Sequence, residues 1–239
     1  PFHRGLRSYA RNLQFPGYGP RGGREWDGNK VLYGLIGLNV AGYVAWGVHP
    51  RFMNQQAVVS ADAVGHGRVW TMLTSAFSHR DTSHILVNMV TLYFFGRNVA
   101  NAFGGRQVNG AERALARLYL LGALVGSAAH CAWYWHESQS ARSPTTRRLL
   151  SSRGGMGASA AVNSVVLFAV CVWPWEVVYL YGLLPVPALL LGAAYLAWDL
   201  RGVLDGTASN VGHVAHLGGA LTGAGLYWKL RRRGFGRWR

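Results

Sequence analysis

The sequence predicts an all-α membrane protein, a bundle of six membrane-spanning helices. Two observations predict it. Only 14% of the 239 residues are charged and half are hydrophobic, whereas an average soluble domain carries about 25% charged residues. The apolar residues gather into six runs, about 30–48, 83–103, 112–135, 157–174, 177–199 and 211–229, and roughly 20 residues at 1.5 Å each cross a ~30 Å hydrocarbon core. Helix is the expected state of every run, because an open sheet edge has no hydrogen-bond partners in lipid. The mean hydropathy is only +0.10, because polar tails and an arginine-rich loop dilute the spans.

Taken in order, residues 1–29 form a basic tail and linker. Five arginines and no acid precede Glu25, and residues 16–28 are glycine-rich. That tail resembles the remnant of an organelle transit region, or it serves only to orient the chain. Residues 30–230 form the six-helix domain and 231–239 a basic C-terminal tail. Residues 49–81 make a long first loop, and residues 136–156 a hydrophilic loop before the fourth span. Pro185 and Pro187 are expected to bend or weaken the fifth span, as a mobile gate. Cys131 and Cys171 lie in apolar runs and read as buried small hydrophobes. With six spans, 16 of the 24 Lys and Arg fall on the side that carries both termini, which places the termini on the cytoplasmic or matrix face. The cations sit in tails and loops with no interleaved patch on an amphipathic helix, so the net charge of +15 does not read as a nucleic-acid surface.

Polar residues break the apolar runs in three stretches. They are His84 with Asn88 in HILVNMVTLYFF, Ser159 in GMGASAAVNSVVLF, and His216 in VGHVAHLGGALTGAGLYW. An unpaired polar side chain in hydrocarbon costs several kcal/mol. Counting spans puts all three near the less basic face, with His216 roughly 8 Å deep. A serine is a weak nucleophile unless a base takes its proton, and an imidazole at the same depth can do so. Close helix approach is needed, and Gly219 and Gly223 provide a small-xxx-small face, with Gly212 and Gly218 beside it. His213 is the alternative base. His84 and Asn88, four apart on one helical face, are candidate oxyanion donors together with the Ser159 backbone N–H. His79 is expected to support the loop before them. No acid is expected to complete a triad: Asp199 and Asp205 fall at the end of the fifth span and beyond, so the reading is a Ser–His dyad. No HExxH or similarly spaced carboxylate points to a metal, and no cofactor is expected.

HILVNMV, GASAAVN and AHLGGALTG, in this order on six helices, resemble the rhomboid intramembrane serine proteases over about residues 30–230. WTMLTSAFSHRDTSHILVN resembles the family's first loop running into its second helix. The FSH…H…N pattern and the PVPA segment at Pro185–Ala188 resemble the mitochondrial branch, the presenilin-associated rhomboid-like and plant organellar members. The resemblance implies Ser159 as nucleophile, His216 as base, and His84, Asn88 and Gly157 around the oxyanion. It implies transmembrane protein substrates, the lipid bilayer as surroundings, and the inner mitochondrial membrane, with a plastid membrane as the alternative. The chain departs from the family pattern at Ala160, where glycine is usual, at Thr71 after Trp70, and at Asn163, where an aromatic often stacks on the base. The departures at Ala160 and Asn163 motivate a second expectation: a weak or inactive member serving as a structural or assembly subunit of a larger membrane complex.

Overall fold

The computed structural model describes residues 29–103, 108–180, 183–205 and 212–233. The N-terminal tail and its linker, and the C-terminal tail beyond Arg233, lie outside them. Ten α-helices appear among the described residues: α1 (Asn29–Val48), α2 (Pro50–Gln56), α3 (Ala61–Gly65), α4 (Thr71–Thr74), α5 (Thr82–Phe103), α6 (Val108–Ser140), α7 (Pro144–Ser151), α8 (Ser159–Val172), α9 (Ala188–Leu204) and α10 (His213–Arg232). Five of the six long ones, α1, α5, α6, α8 and α10, overlap their apolar runs closely, and α9 covers only the second half of the fifth. Two of them, over Lys30–Val48 and Arg113–Ser140, are long and apolar enough to cross a membrane by length and composition.

Helix α8 is the axis of the bundle. It packs against α5, α6, α9 and α10, and Ala161, Val165 and Phe168 are sealed in a core with Leu32, Leu92, Leu115 and Leu118. The outer faces of α1, α5 and α9 expose Leu38, Val44, Leu86, Leu190 and Leu200. A contiguous apolar exterior of that kind needs lipid or a partner against it. At the centre of the core Tyr119 on α6 donates to the Ala76 carbonyl at 2.8 Å and accepts from Asn39 Nδ2 at 2.8 Å. This pair of bonds ties α1 and the first loop to α6 at full burial, where an unmade bond would be costly.

The first loop is not irregular. It folds into α2, α3, α4 and a 3-10 turn (Ser75–Phe77), with Ser60 capping α3 by accepting from the Ala63 N–H at 3.0 Å. Its Val59 pairs with Gly155 through two backbone bonds of 2.9 and 2.7 Å, and the Gly157 N–H donates to Ser75 at 2.9 Å. The loop thus holds the segment leading into α8.

The expectation of helix throughout fails at the fifth run. Val177–Leu180 (β1) and Leu184–Pro187 (β2) form an antiparallel hairpin, with Val177 opposite Pro187 and Leu180 opposite Leu184. Val177, Val178 and Tyr179 favour strand, and each proline lacks the N–H that a helix interior needs. The fifth helix begins only at Ala188, with Pro187 as its N-cap. Pro185 and Pro187 therefore stand before this helix and do not bend it, which corrects the gate read from them. Cys131 and Cys171 are both free thiols.

Candidate active site

Ser159 is the first residue of α8. The turn before it depends on Gly157, whose φ of +115° lies where side chains are strained. A Cβ at Gly157 would also fall 2.5 Å from His84 Cε1. His79 holds the next residue: its Nε2 accepts from the Ala158 N–H at 3.2 Å. As an acceptor there, the ring carries its proton on Nδ1, which is buried without a hydrogen-bond partner among the described residues. Burial, followed by the neighbouring His84, lowers the His79 pKa from 6.5 to about 4. The unfolded chain, with its imidazole near 6.5, takes up this proton first as pH falls. The His79 contribution to stability is therefore intact above pH 6.5, is lost progressively as pH falls toward about 4, and levels off below. Thermal unfolding across that window is expected to show this slope in the unmodified protein and a shallower one in His79→Gln.

Helix α10 brings the candidate base, His216. His216 Nε2 lies 2.8 Å from Ser159 Oγ. Two glycines on α10 allow this approach: a Cβ at Gly219 would be driven into the Ala160 carbonyl oxygen, and one at Gly223 into that of Ser164. The two backbones touch with nothing between them. His216 Nδ1 lies 3.0 Å from Asp199 Oδ1, and His213 Nδ1 lies 2.8 Å from the same oxygen. An ionised carboxylate only accepts, so both Nδ1 atoms carry hydrogen. Neutral His216 then presents its Nε2 lone pair to the serine hydroxyl, the form a general base requires. His213 bonds to Asp199 and packs against Gly202, where a Cβ would enter its ring.

Asp199 corrects the reading of a dyad with no acid nearby. It is buried on α9, 1% exposed. A fifth span over 177–199 puts Asp199 at its last residue, where hydropathy gives it no partner. With the helix starting at Ala188 and running toward the Ser159 face, Asp199 stands level with the first turn of α10. Asp199, His213 and His216 also present ligand atoms within 4.8 Å of one another, a donor set able to hold a divalent cation. The bond lengths of 2.8 and 3.0 Å match a carboxylate shared by two imidazoles.

The oxyanion candidates line the same cavity as the pair. It holds about 1380 Å³ and is bordered by Ser159, His216, His84, Asn88, Gly157 and Asn163. Asn88 Nδ2 donates to the His84 carbonyl at 2.8 Å, which leaves its second amide hydrogen for another acceptor. The first N–H groups of α8 have no intrahelical acceptor, and the helix N-terminus favours negative charge.

The Ala160 methyl faces Gly126 on α6, where an added Cβ would collide with it and lie 2.8 Å from the Ala215 carbonyl of α10. The departure at position 160 is thus matched by a glycine on a third helix. Gly126→Ala is expected to lower activity several-fold, and Gly126→Ala with Ala160→Gly to recover only part of it, because the added Cβ still lies 2.8 Å from the Ala215 carbonyl; rates of the single and double variants check this. Thr71, the second departure, caps its own turn by donating to the Arg68 carbonyl at 2.6 Å.

A rhomboid domain model matches residues 66–233, and the chain belongs to the rhomboid family. It is 37% identical to RHOMBOID-like protein 12, mitochondrial, of Arabidopsis thaliana, over 92% of this chain and 65% of that protein. It is 28% identical to Rhomboid protein 1, mitochondrial, of Saccharomyces cerevisiae, over 84% of this chain and 54% of that protein. It is 29% identical to Presenilin-associated rhomboid-like protein A, mitochondrial, of Danio rerio, over 82% of this chain and 47% of that protein. The chain spans about half to two thirds of the length of these relatives.

Proposed function

We propose that this chain is an intramembrane serine protease that cleaves transmembrane segments of other proteins in the inner mitochondrial membrane. It crosses with six helices and keeps both termini in the matrix. The observation that carries the reading is the 2.8 Å approach of His216 Nε2 to Ser159 Oγ at the wall of a large cavity. The location rests on the mitochondrial relatives and on the cation bias between the two faces.

In the reaction Ser159 Oγ attacks a peptide carbonyl while His216 Nε2 takes its proton. Asp199 holds Nδ1–H and stabilises the imidazolium that forms. The tetrahedral oxyanion is met by His84, the free amide hydrogen of Asn88 and the Ser159 N–H, each such donor being worth about 3–4 kcal/mol in acyl transfer. His216 returns the proton to the leaving amine as the C–N bond breaks. Water, activated by the same imidazole, then releases the acyl group from Ser159. The glycine at position 126, which faces the Ala160 methyl, supports this reading.

A serine-directed fluorophosphonate probe tests it. The unmodified protein in detergent or proteoliposomes is expected to label, and Ser159→Ala not to. Folded protein that resists labelling would instead favour a structural or assembly subunit of a membrane complex.

A further inference from the structure

The cavity runs from Ser159 down the bundle to the far end of α8. Glu176 lines it there, in the turn between α8 and β1, where Oε1 accepts from Asn98 Nδ2 of α5 at 3.1 Å. The backbone around this carboxylate is fixed. Its own N–H donates to Trp173 at 3.2 Å, and its carbonyl accepts from the Ala188 N–H at 2.7 Å. The walls between the two ends are mostly apolar, with Val87, Phe94, Val162 and Val166. Among the described residues Glu176 has no ion-pair partner. Desolvation raises its pKa, partly countered by the Asn98 bond, and a cation beside it would relieve that cost.

Resting on the protease reading, we propose that Glu176 determines specificity: with Asn98 it receives a lysine or arginine side chain of the substrate's membrane segment. The spacing follows from geometry. The 14 residues of α8, at 1.5 Å each, set a drop of about 21 Å. A helical substrate laid along α8 covers it in about 14 residues, and fewer when residues at the scissile bond are extended at about 3.3 Å each. The cation therefore stands roughly 10 to 14 residues from the cleaved bond. The sign is set by Glu176 itself. It also suits the substrate, because membrane segments carry their lysines and arginines toward the more basic face, where this turn lies in the proposed topology. Long cationic side chains reach such a partner while their stems stay in apolar surroundings.

The test uses the full chain in proteoliposomes and a set of single-span polypeptides that differ at one position. A lysine is walked residue by residue through the bilayer part of the segment, then replaced by glutamine or glutamate at the best position. Lysine in the predicted interval is expected to raise kcat/KM about tenfold over glutamate, the discrimination of one partly buried charge pair, mainly through KM. Glu176→Gln flattens the preference and Glu176→Lys reverses it. Identical profiles in the unmodified protein and Glu176→Gln overturn the inference. Photo-crosslinking of the same polypeptides to Ser159→Ala reads the preference without cleavage. Failure of all cleavage thus counts against the protease reading, and charge-blind capture counts against Glu176.

Discussion

Asp199→Asn is expected to lower turnover by about 10²–10⁴-fold with little change in KM. The carboxylate accepts from His216 Nδ1 at 3.0 Å, and an asparagine amide in its place can donate to that nitrogen. His216 would then carry hydrogen on Nε2 and lose the lone pair that faces Ser159. The same exchange disturbs His213, which shares the oxygen at 2.8 Å, so unfolding must be measured in parallel. Asp199→Glu keeps an acceptor and is expected to retain more activity than the asparagine variant. Kinetics of both against a model substrate, with a thermal melt of each, check this. Equal loss in the two variants at equal stability would remove Asp199 from the proton network and leave it a packing role.

Gly219→Val is the second large effect, an expected loss of about a hundredfold or more. An added Cβ at Gly219 would collide with the Ala160 carbonyl, which belongs to the α8 backbone and cannot turn aside. Relief requires α10 to move away from α8, and displacement of a reacting group by about 1 Å is enough for a loss of this size. Gly225 on the same helix has nothing within 4 Å of its missing Cβ, so Gly225→Val is the control for a β-branched residue in α10. Fluorophosphonate labelling and turnover of the two variants separate the seam from the helix. Similar values for both would show that α8 and α10 have room to spare.

Much of the site was legible in the sequence for one reason: hydrocarbon makes polar groups conspicuous. His84, Asn88, Ser159 and His216 stand out because each interrupts an apolar run, and the structure brings all four to one cavity. Asp199 did not stand out. Its significance depends on where its helix begins, and hydropathy cannot separate Val177–Pro187 as a strand pair from the first half of a span, since both are equally apolar. Gly126 was invisible for a different reason. Its role exists only across a helix interface, opposite the methyl of Ala160. The first loop looked irregular because α2, α3 and α4 are 7, 5 and 4 residues long, too short for a periodic pattern to declare itself.

The hairpin before α9 and the turn leading into it carry Tyr179 and Trp175, both more than half exposed. Aromatic rings of this kind settle at the headgroup level of a bilayer. In the proposed topology the foot of α9 is thereby moored to the lipid surface, while its other end is fastened to α10 through Asp199 and His213. A thinner or thicker bilayer would shift the mooring and leave the fastening in place, tilting α9 against its neighbours. In the proposed topology, acyl-chain length in the surrounding membrane would thus bear on how α9 leans against the cavity that holds Ser159.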